Sequence, residues 1–396
     1  LIDLSNFQST MNEIYGTCDP ALHSVRDLLQ QRIASKDELG ASLCVDVDGE
    51  NILDLWGGHA DVARTRPWQK DTITVVWSCS KVVSNLAALI LVDRGLLDVN
   101  EKVTTYWPEF GANGKEDVTV AHILSHSSGV PAWELPITLE EIYDTKKATE
   151  KLAAQAPWWT PGERSGYHLT NQGHLVGEIV RRITGRPLEQ FVADEITGPL
   201  EADFQYGVPE EHWPRTADVI SPPALPFGEL DPQSIAAKAI AGSPFPAEAS
   251  MTPGFRKTVS GANNGFSNAR ALARIGSIVS LDGILDENQR IISASTVEKM
   301  LTEQIKGTDI VTFDFLRFGL GVALPAPQTC AWIPEGRIGF WGGWGGSLII
   351  MDRDRRMTIA YVMNNMSGRG TLGNDNTEAY VREIYRVIDG LCSSSA

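Results

Sequence analysis

Val75-Val76-Trp77-Ser78-Cys79-Ser80-Lys81, with the apolar run Val82 to Val92 behind it, is the stretch whose reading decides the fold. A polar S-x-x-K here opens a helix whose other residues read as core. Leu86, Leu89, Ile90 and Val92 recur at helical spacing, and Gly95 closes the segment as a C-terminal cap. Ser78 and Lys81 are three residues apart, so they share one face of the first turn and an amine can reach a hydroxyl. A helix N-terminus adds unpaired N–H groups and a positive partial charge, which favour a developing oxyanion and depress a nearby ammonium pKa. The match is the only S-x-x-K in the chain, and the β-rich residues Thr72 to Trp77 lead into it. The plainer reading of the same four residues is a serine cap with a solvated lysine one turn later.

Upstream, the spacing predicts a helix over residues 20–35, then a hairpin of residues 42–47 and 51–56 turned at Asp48-Gly49. Downstream, helical patterns run over residues 139–156 and 172–184, and Ser267 is read as the cap of a helix over 269–281. Strands return at residues 339–341, 347–351 and 357–363, and a last helix is expected over 376–389. A helix, antiparallel strands and the Ser78 helix together predict an α/β (α+β) layer architecture with an antiparallel sheet. The expected division is a mixed domain of residues 1–98 and 256–396, with an inserted, mainly helical domain of residues 99–255. The proline-rich part of the insert, from residue 207 on (Pro222, Pro223, Pro226, Pro232, Pro244, Pro246, Pro253), is read as a pocket wall or lid.

With 396 residues, 42% of them hydrophobic, the chain can bury a large core. A formal charge of −16 argues against nucleic acid or an anionic membrane as partner. No apolar run reaches the roughly 18 residues of a membrane span. Leu1-Ile2-Asp3-Leu4 does not begin a signal peptide, the missing initiator Met points to a trimmed start, and the cytoplasm is the expected compartment. Five scattered cysteines form neither a disulfide framework nor a zinc motif. His122 and His126 stand at i, i+4 without the glutamate or third ligand of a zinc site, so no metal and no cofactor are expected. No G-x-S-x-G elbow occurs.

Two further stretches look chemical: Gly162 to Asn171, with Tyr167 in a loop just before a helix, and Phe340 to Ser347, where four glycines interrupt a strand. With Ser78–Lys81 they resemble the serine β-lactamase and penicillin-binding-protein superfamily, and within it the class C β-lactamase-like carboxylesterases (family VIII esterases) and related acyltransferases. The resemblance runs from about residue 22 to the end. It also includes L-x-H-x-S-G at Leu124–Gly129, P-G-x-x-x-x-Y at Pro161–Tyr167, and T-G-R-P-L with I-x-x-P-L across Thr184–Leu200.

The resemblance implies a β-lactamase/transpeptidase-like fold with the active site between the mixed and helical domains. It makes Ser78 the nucleophile, Lys81 its proton acceptor and Tyr167 a second base or leaving-group acid. It puts the oxyanion hole at the N–H groups of Ser78 and Trp344, with Trp341, Gly342, Gly343 and His168 among the substrate-binding residues. Penicillin-recognising members carry K-T-G or H-T-G where this chain has Trp341-Gly342-Gly343, and the tyrosine motif reads Tyr167-His168-Leu169, without an asparagine. Both departures weaken a β-lactamase reading. Trp133, Trp158, Trp159, Trp341 and Trp344 fall in or near segments expected to form an apolar pocket. The expected activity is hydrolysis of small apolar esters or lactones through an acyl-Ser78 intermediate. Acyl transfer to an alcohol is the alternative, and a silent binding protein the reading from another class. The oligomeric state is not legible.

Overall fold

The computed structural model describes residues 13–222, 230–284, 289–367 and 372–394; Leu1 to Leu4, Pro223 and Pro226 lie outside them. The strands are β1 (Ile14–Cys18), β2 (Gly40–Val47), β3 (Glu50–Gly58), β4 (Thr74–Trp77), β5 (Phe204–Tyr206), β6 (Gly265–Ser267), β7 (Ile305–Thr308), β8 (Phe315–Phe318), β9 (Ile338–Gly342), β10 (Leu348–Asp352) and β11 (Met357–Met363). The main sheet has the order β1-β3-β2-β11-β10-β9, antiparallel throughout. Its two halves come from opposite ends of the chain and join at β2–β11, in register from Val47↔Met357 to Ala41↔Met363. The β2–β3 hairpin turns at Asp48 and Gly49, both at positive φ (53° and 89°), the turn geometry that matches strand twist.

Both faces of this sheet are covered. Gly276, in the helix Ala269–Ser280, faces Thr358, whereas the Tyr361 ring meets that of Tyr380, in the helix Asp375–Ser394, at 5.3 Å and a tilt of 57°. Thr358 and Tyr361 differ by an odd number of residues along β11, so the two helices lie on opposite faces. The helix His23–Ser35 packs beside the C-terminal one. Asn268, not Ser267, caps Ala269–Ser280 through its side chain, because Ser267 is held in β6. The helical pattern over 139–156 is two helices, Leu139–Tyr143 and Thr145–Ala154, broken where Asp144 caps the second.

The helix Ser80–Asp93 runs through the centre, with every residue from Ser80 to Leu91 buried. Burying each of its Leu, Ile and Val side chains contributes about 1.5–3 kcal/mol. It packs against Gln172–Thr184 and Leu188–Val192. Among the described residues, 99–255 supply β5 to the small sheet β4-β6-β5 and no strand to the main sheet. The site therefore lies where β4, the end of β9 and the helical layer meet.

Candidate active site

Ser78 sits between β4 and the central helix, two residues before the first helical one. Trp77 bends the chain there with a positive φ of 48°, a conformation costing a non-glycine residue about 1–2 kcal/mol. Packing holds it: the Trp77 ring meets Trp344 at 5.2 Å and Phe255 at 5.8 Å, edge to face. The Lys81 N–H bonds back to the Ser78 carbonyl at 3.0 Å, a tight turn that keeps the two side chains together although Ser78 is outside the helix proper.

Lys81 is buried, and its Nζ has three neighbours. The carbonyls of Leu169 and Ala262 accept hydrogen bonds at 2.8 and 3.1 Å, and Ser78 Oγ lies at 3.1 Å. Burial holds the Lys81 amine well below the ordinary lysine range. Its neighbour Cys79 supplies no opposing charge, because burial pushes that thiol up to about 12. A neutral amine has two N–H donors and one lone pair. The two carbonyls take the donors, and the lone pair is left facing the Ser78 hydroxyl. Where the tyrosine motif lacks its asparagine, the Leu169 main chain supplies an acceptor instead.

Tyr167 is also buried; its ring lies 4.8 Å from Lys81 Nζ, and its oxygen accepts the Trp341 indole N–H at 3.1 Å. Burial raises the phenol well above its ordinary range, outweighing hydrogen bonds with Ser78 and Trp341. Tyr167 is therefore protonated at neutral pH, fit to donate a proton and unfit to act as a resting base. Its backbone is pinned as well. Asp309 Oδ1 accepts from the N–H groups of Tyr167 (3.1 Å), Val311 (2.9 Å) and Thr312 (3.0 Å).

The glycine-rich stretch closes against β4. Gly343 N–H bonds to the Ser347 carbonyl at 2.7 Å, and Ser347 Oγ donates to the Val76 carbonyl at 3.0 Å. A Cβ on Gly343 would lie 2.3 Å from the Val76 oxygen, so only glycine fits this approach. Among the described residues no hydrogen-bond acceptor is found for the N–H of Ser78 or of Trp344.

Ser78 and Tyr167 open onto a cavity of about 220 Å³. Trp77, Trp344, Phe245 and Ile240 form apolar wall; Ser243, Asn263 and Asp314 are polar points on it. Ile240, Ser243 and Phe245 belong to the proline-rich stretch. Of the five tryptophans expected near a pocket, only Trp344 lines this one. Trp133 and Trp159 give their indole N–H groups to the carbonyls of Ala148 and Arg164, and Trp158 packs on the core. Trp341, Gly342, Gly343 and His168, expected to touch substrate, do not line the cavity either. The Trp341 side chain is turned onto Tyr167. His168 is buried between Ser128 Oγ (2.6 Å) and the Gly166 carbonyl (2.8 Å), and burial lowers its pKa to about 3.

Trp77, Asn263, Asp309 and Asp314 were not singled out from the sequence. Asn263 falls in Ser260-Gly261-Ala262-Asn263-Asn264-Gly265, a turn-like run before β6 that could have drawn notice. The loop 309–314 carries no pattern. A larger groove of about 920 Å³ lies on the helical side, where Glu178 pairs with Arg181 and Arg182, and Arg182 with Glu109. Among the described residues no group of three or more His, Cys, Asp or Glu could hold a metal ion, and no helix is long and apolar enough to cross a membrane.

Four likenesses bear on this geometry. The family model for beta-lactamases matches residues 25–381. Esterase/beta-lactamase LipL of Mycobacterium tuberculosis is 31% identical over 294 residues, which are 69% of this chain and 66% of that protein, just under two thirds. The crystal structure of a family VIII carboxylesterase superposes with a TM-score of 0.88 at 32% identity, covering 95% of this chain and 100% of that one. A penicillin-binding-protein homologue from Caulobacter crescentus gives 0.87 at 31%, again over 95% and 100%.

Proposed function

We propose, on the premise that this chain belongs to the beta-lactamase family, that it is a serine hydrolase cleaving small carboxylic esters or lactones through an acyl-Ser78 intermediate. The observation that carries the reading is the Lys81 amine, held by two carbonyls with its remaining position 3.1 Å from Ser78 Oγ.

In this mechanism Lys81 takes the hydroxyl proton as Ser78 Oγ attacks the ester carbonyl. The oxyanion meets the unpartnered N–H groups of Ser78 and Trp344. Tyr167 gives its proton to the departing alkoxide and regains one from the Lys81 ammonium, which returns to the neutral amine. Water then attacks the acyl-enzyme as Lys81, again neutral, takes its proton, and the ammonium so formed returns that proton to the departing Ser78 oxygen. An alcohol in place of water would make the same machinery an acyltransferase.

Esters are favoured over β-lactams by what the cavity lacks. No lysine or arginine lines it among the described residues, and the indole at the position of the family's cation is bonded to Tyr167. A lactam carboxylate forgoes a charge-assisted contact contributing about 1.5–3 kcal/mol. Turnover of p-nitrophenyl butyrate is expected to exceed that of nitrocefin by at least about a hundredfold in kcat/KM. Intact-protein mass should show one acyl adduct, absent in Ser78→Ala. An adduct that persists in Ser78→Ala would reject the nucleophile, and equal efficiency on the two substrates would reject the ester preference.

A further inference from the structure

Among the described residues Asp314 is the only carboxylate on the cavity wall, and its side chain has neither an ion pair nor a hydrogen-bond donor. It is half-buried, and burial together with the nearby Asp309 lifts it above the ordinary carboxylate range, the mark of a negative charge without a counterion. Lining the same cavity are the aromatic side chains of Trp77, Trp344 and Phe245, and aromatic rings attract cations. The neutral polar groups beside it are the hydroxyls of Ser78, Tyr167, Thr170, Ser243 and Thr312 and the amide of Asn263, whose Oδ1 accepts from Ser260 Oγ. Aromatic rings around a single unpaired carboxylate are the surroundings in which an alkylammonium group is bound.

We infer that Asp314 is a specificity-determining residue, and that the preferred ester carries an ammonium group, on its acyl or its alcohol side, that seats against Asp314 between the cavity's aromatic rings. The inference rests on the hydrolase reading for its turnover test and on the cavity alone for its binding test. No bond is made or broken by Asp314; it acts by charge on the bound substrate, and a substrate carboxylate meets repulsion there.

Two isosteric pairs read it. Butyrylcholine is compared with 3,3-dimethylbutyl butyrate, and the p-nitrophenyl ester of 4-(trimethylammonio)butyrate with that of 5,5-dimethylhexanoate. In at least one pair the cationic ester is expected to have a kcat/KM at least about tenfold higher, and in Asp314→Asn that ratio falls toward one. Ratios near one in both pairs, or a ratio that survives Asp314→Asn, overturn the inference while leaving the hydrolase reading standing. If no ester is turned over, the hydrolase reading fails and binding decides. Choline should perturb the tryptophan fluorescence of wild type at lower concentration than 3,3-dimethylbutan-1-ol, and this difference should vanish in Asp314→Asn. Equal binding of the two by wild type overturns the inference on its own.

Discussion

Lys81 and Lys115 are both buried, and neither forms an ion pair among the described residues, yet their surroundings differ in one atom. Lys115 Nζ donates to three carbonyls, those of Ala112 (2.7 Å), Ala153 (3.0 Å) and Gln155. Lys81 has two carbonyls and a hydroxyl. Three carbonyls can only accept, so every N–H of Lys115 is required, and the ammonium acts as a strut. A hydroxyl can also give, so the third position of Lys81 can be a lone pair. Burial pulls Lys115 down to about 8, with Glu116 opposing, and holds Lys81 well below 10.5. Burial alone thus does not make a lysine a base. The partner that can release a proton does.

The largest effect that could break this contrast is on rate. Lys81→Ala should lower ester kcat/KM by at least about 10³-fold, whereas Lys115→Ala should retain activity in whatever fraction remains folded. Active-site titration with a fluorophosphonate, followed by kinetics per titrated site, separates the two. A comparable loss per site in Lys115→Ala would end the distinction.

Stability is predicted to sort the other way. Lys115→Met keeps the length of the side chain but strands three buried carbonyls, and should cost about 3 kcal/mol in urea unfolding. A neutral result would mean that the strut bears no weight.

Trp341→Phe sharpens the hydroxyl corner of Lys81. It removes the N–H that fixes the Tyr167 oxygen, and a loss of about tenfold in kcat with little change in KM is expected. A rise in KM instead would put Trp341 back among the substrate contacts.

The smallest effects are in pH. Hydrolysis needs Lys81 neutral, so kcat/KM should rise with pH to a plateau reached below 10.5, without an alkaline fall from Tyr167, whose pKa is raised. Lys115 has a folded pKa lower than its unfolded one, so between about 8 and 10.5 the unfolded chain binds more protons and stability rises with pH. Lys115→Met should flatten that rise and leave the activity profile in place. Flattening of the activity profile by Lys115→Met would assign the rate-limiting proton to the wrong lysine.

What could be read from the sequence was local. The Asp48-Gly49 hairpin, the helix Gln172–Thr184 and the β10–β11 pair announce themselves within a few residues, and the Ser78/Lys81 spacing is enforced by one turn. The joint between β2 and β11 was not legible, because it unites residues more than 300 positions apart. The helix start was misplaced by two residues because the Trp77 bend depends on Trp344 and Phe255, neither of them a sequence neighbour. Tryptophans drew attention as pocket formers on size alone, while indole N–H partners such as the Ala148 carbonyl keep two of them in the core. The cavity wall at residues 311–314 comes from a loop, where no period marks which side chains turn inward.

The Asp309 clamp bears on how such a pocket can diversify. Its carboxylate holds Val311 and Thr312 only by their main-chain N–H groups, while a third N–H, that of Tyr167, shares the same oxygen. The side chains at 311 and 312 take no part in the clamp, so new substrate ranges can be reached by point substitution there with the proton donor left in place. A residue inserted between 309 and 312 would shift the register of those N–H groups and drag Tyr167 with it. Directed evolution of this wall should accumulate replacements and reject insertions, and a library built with both would show that bias in its survivors.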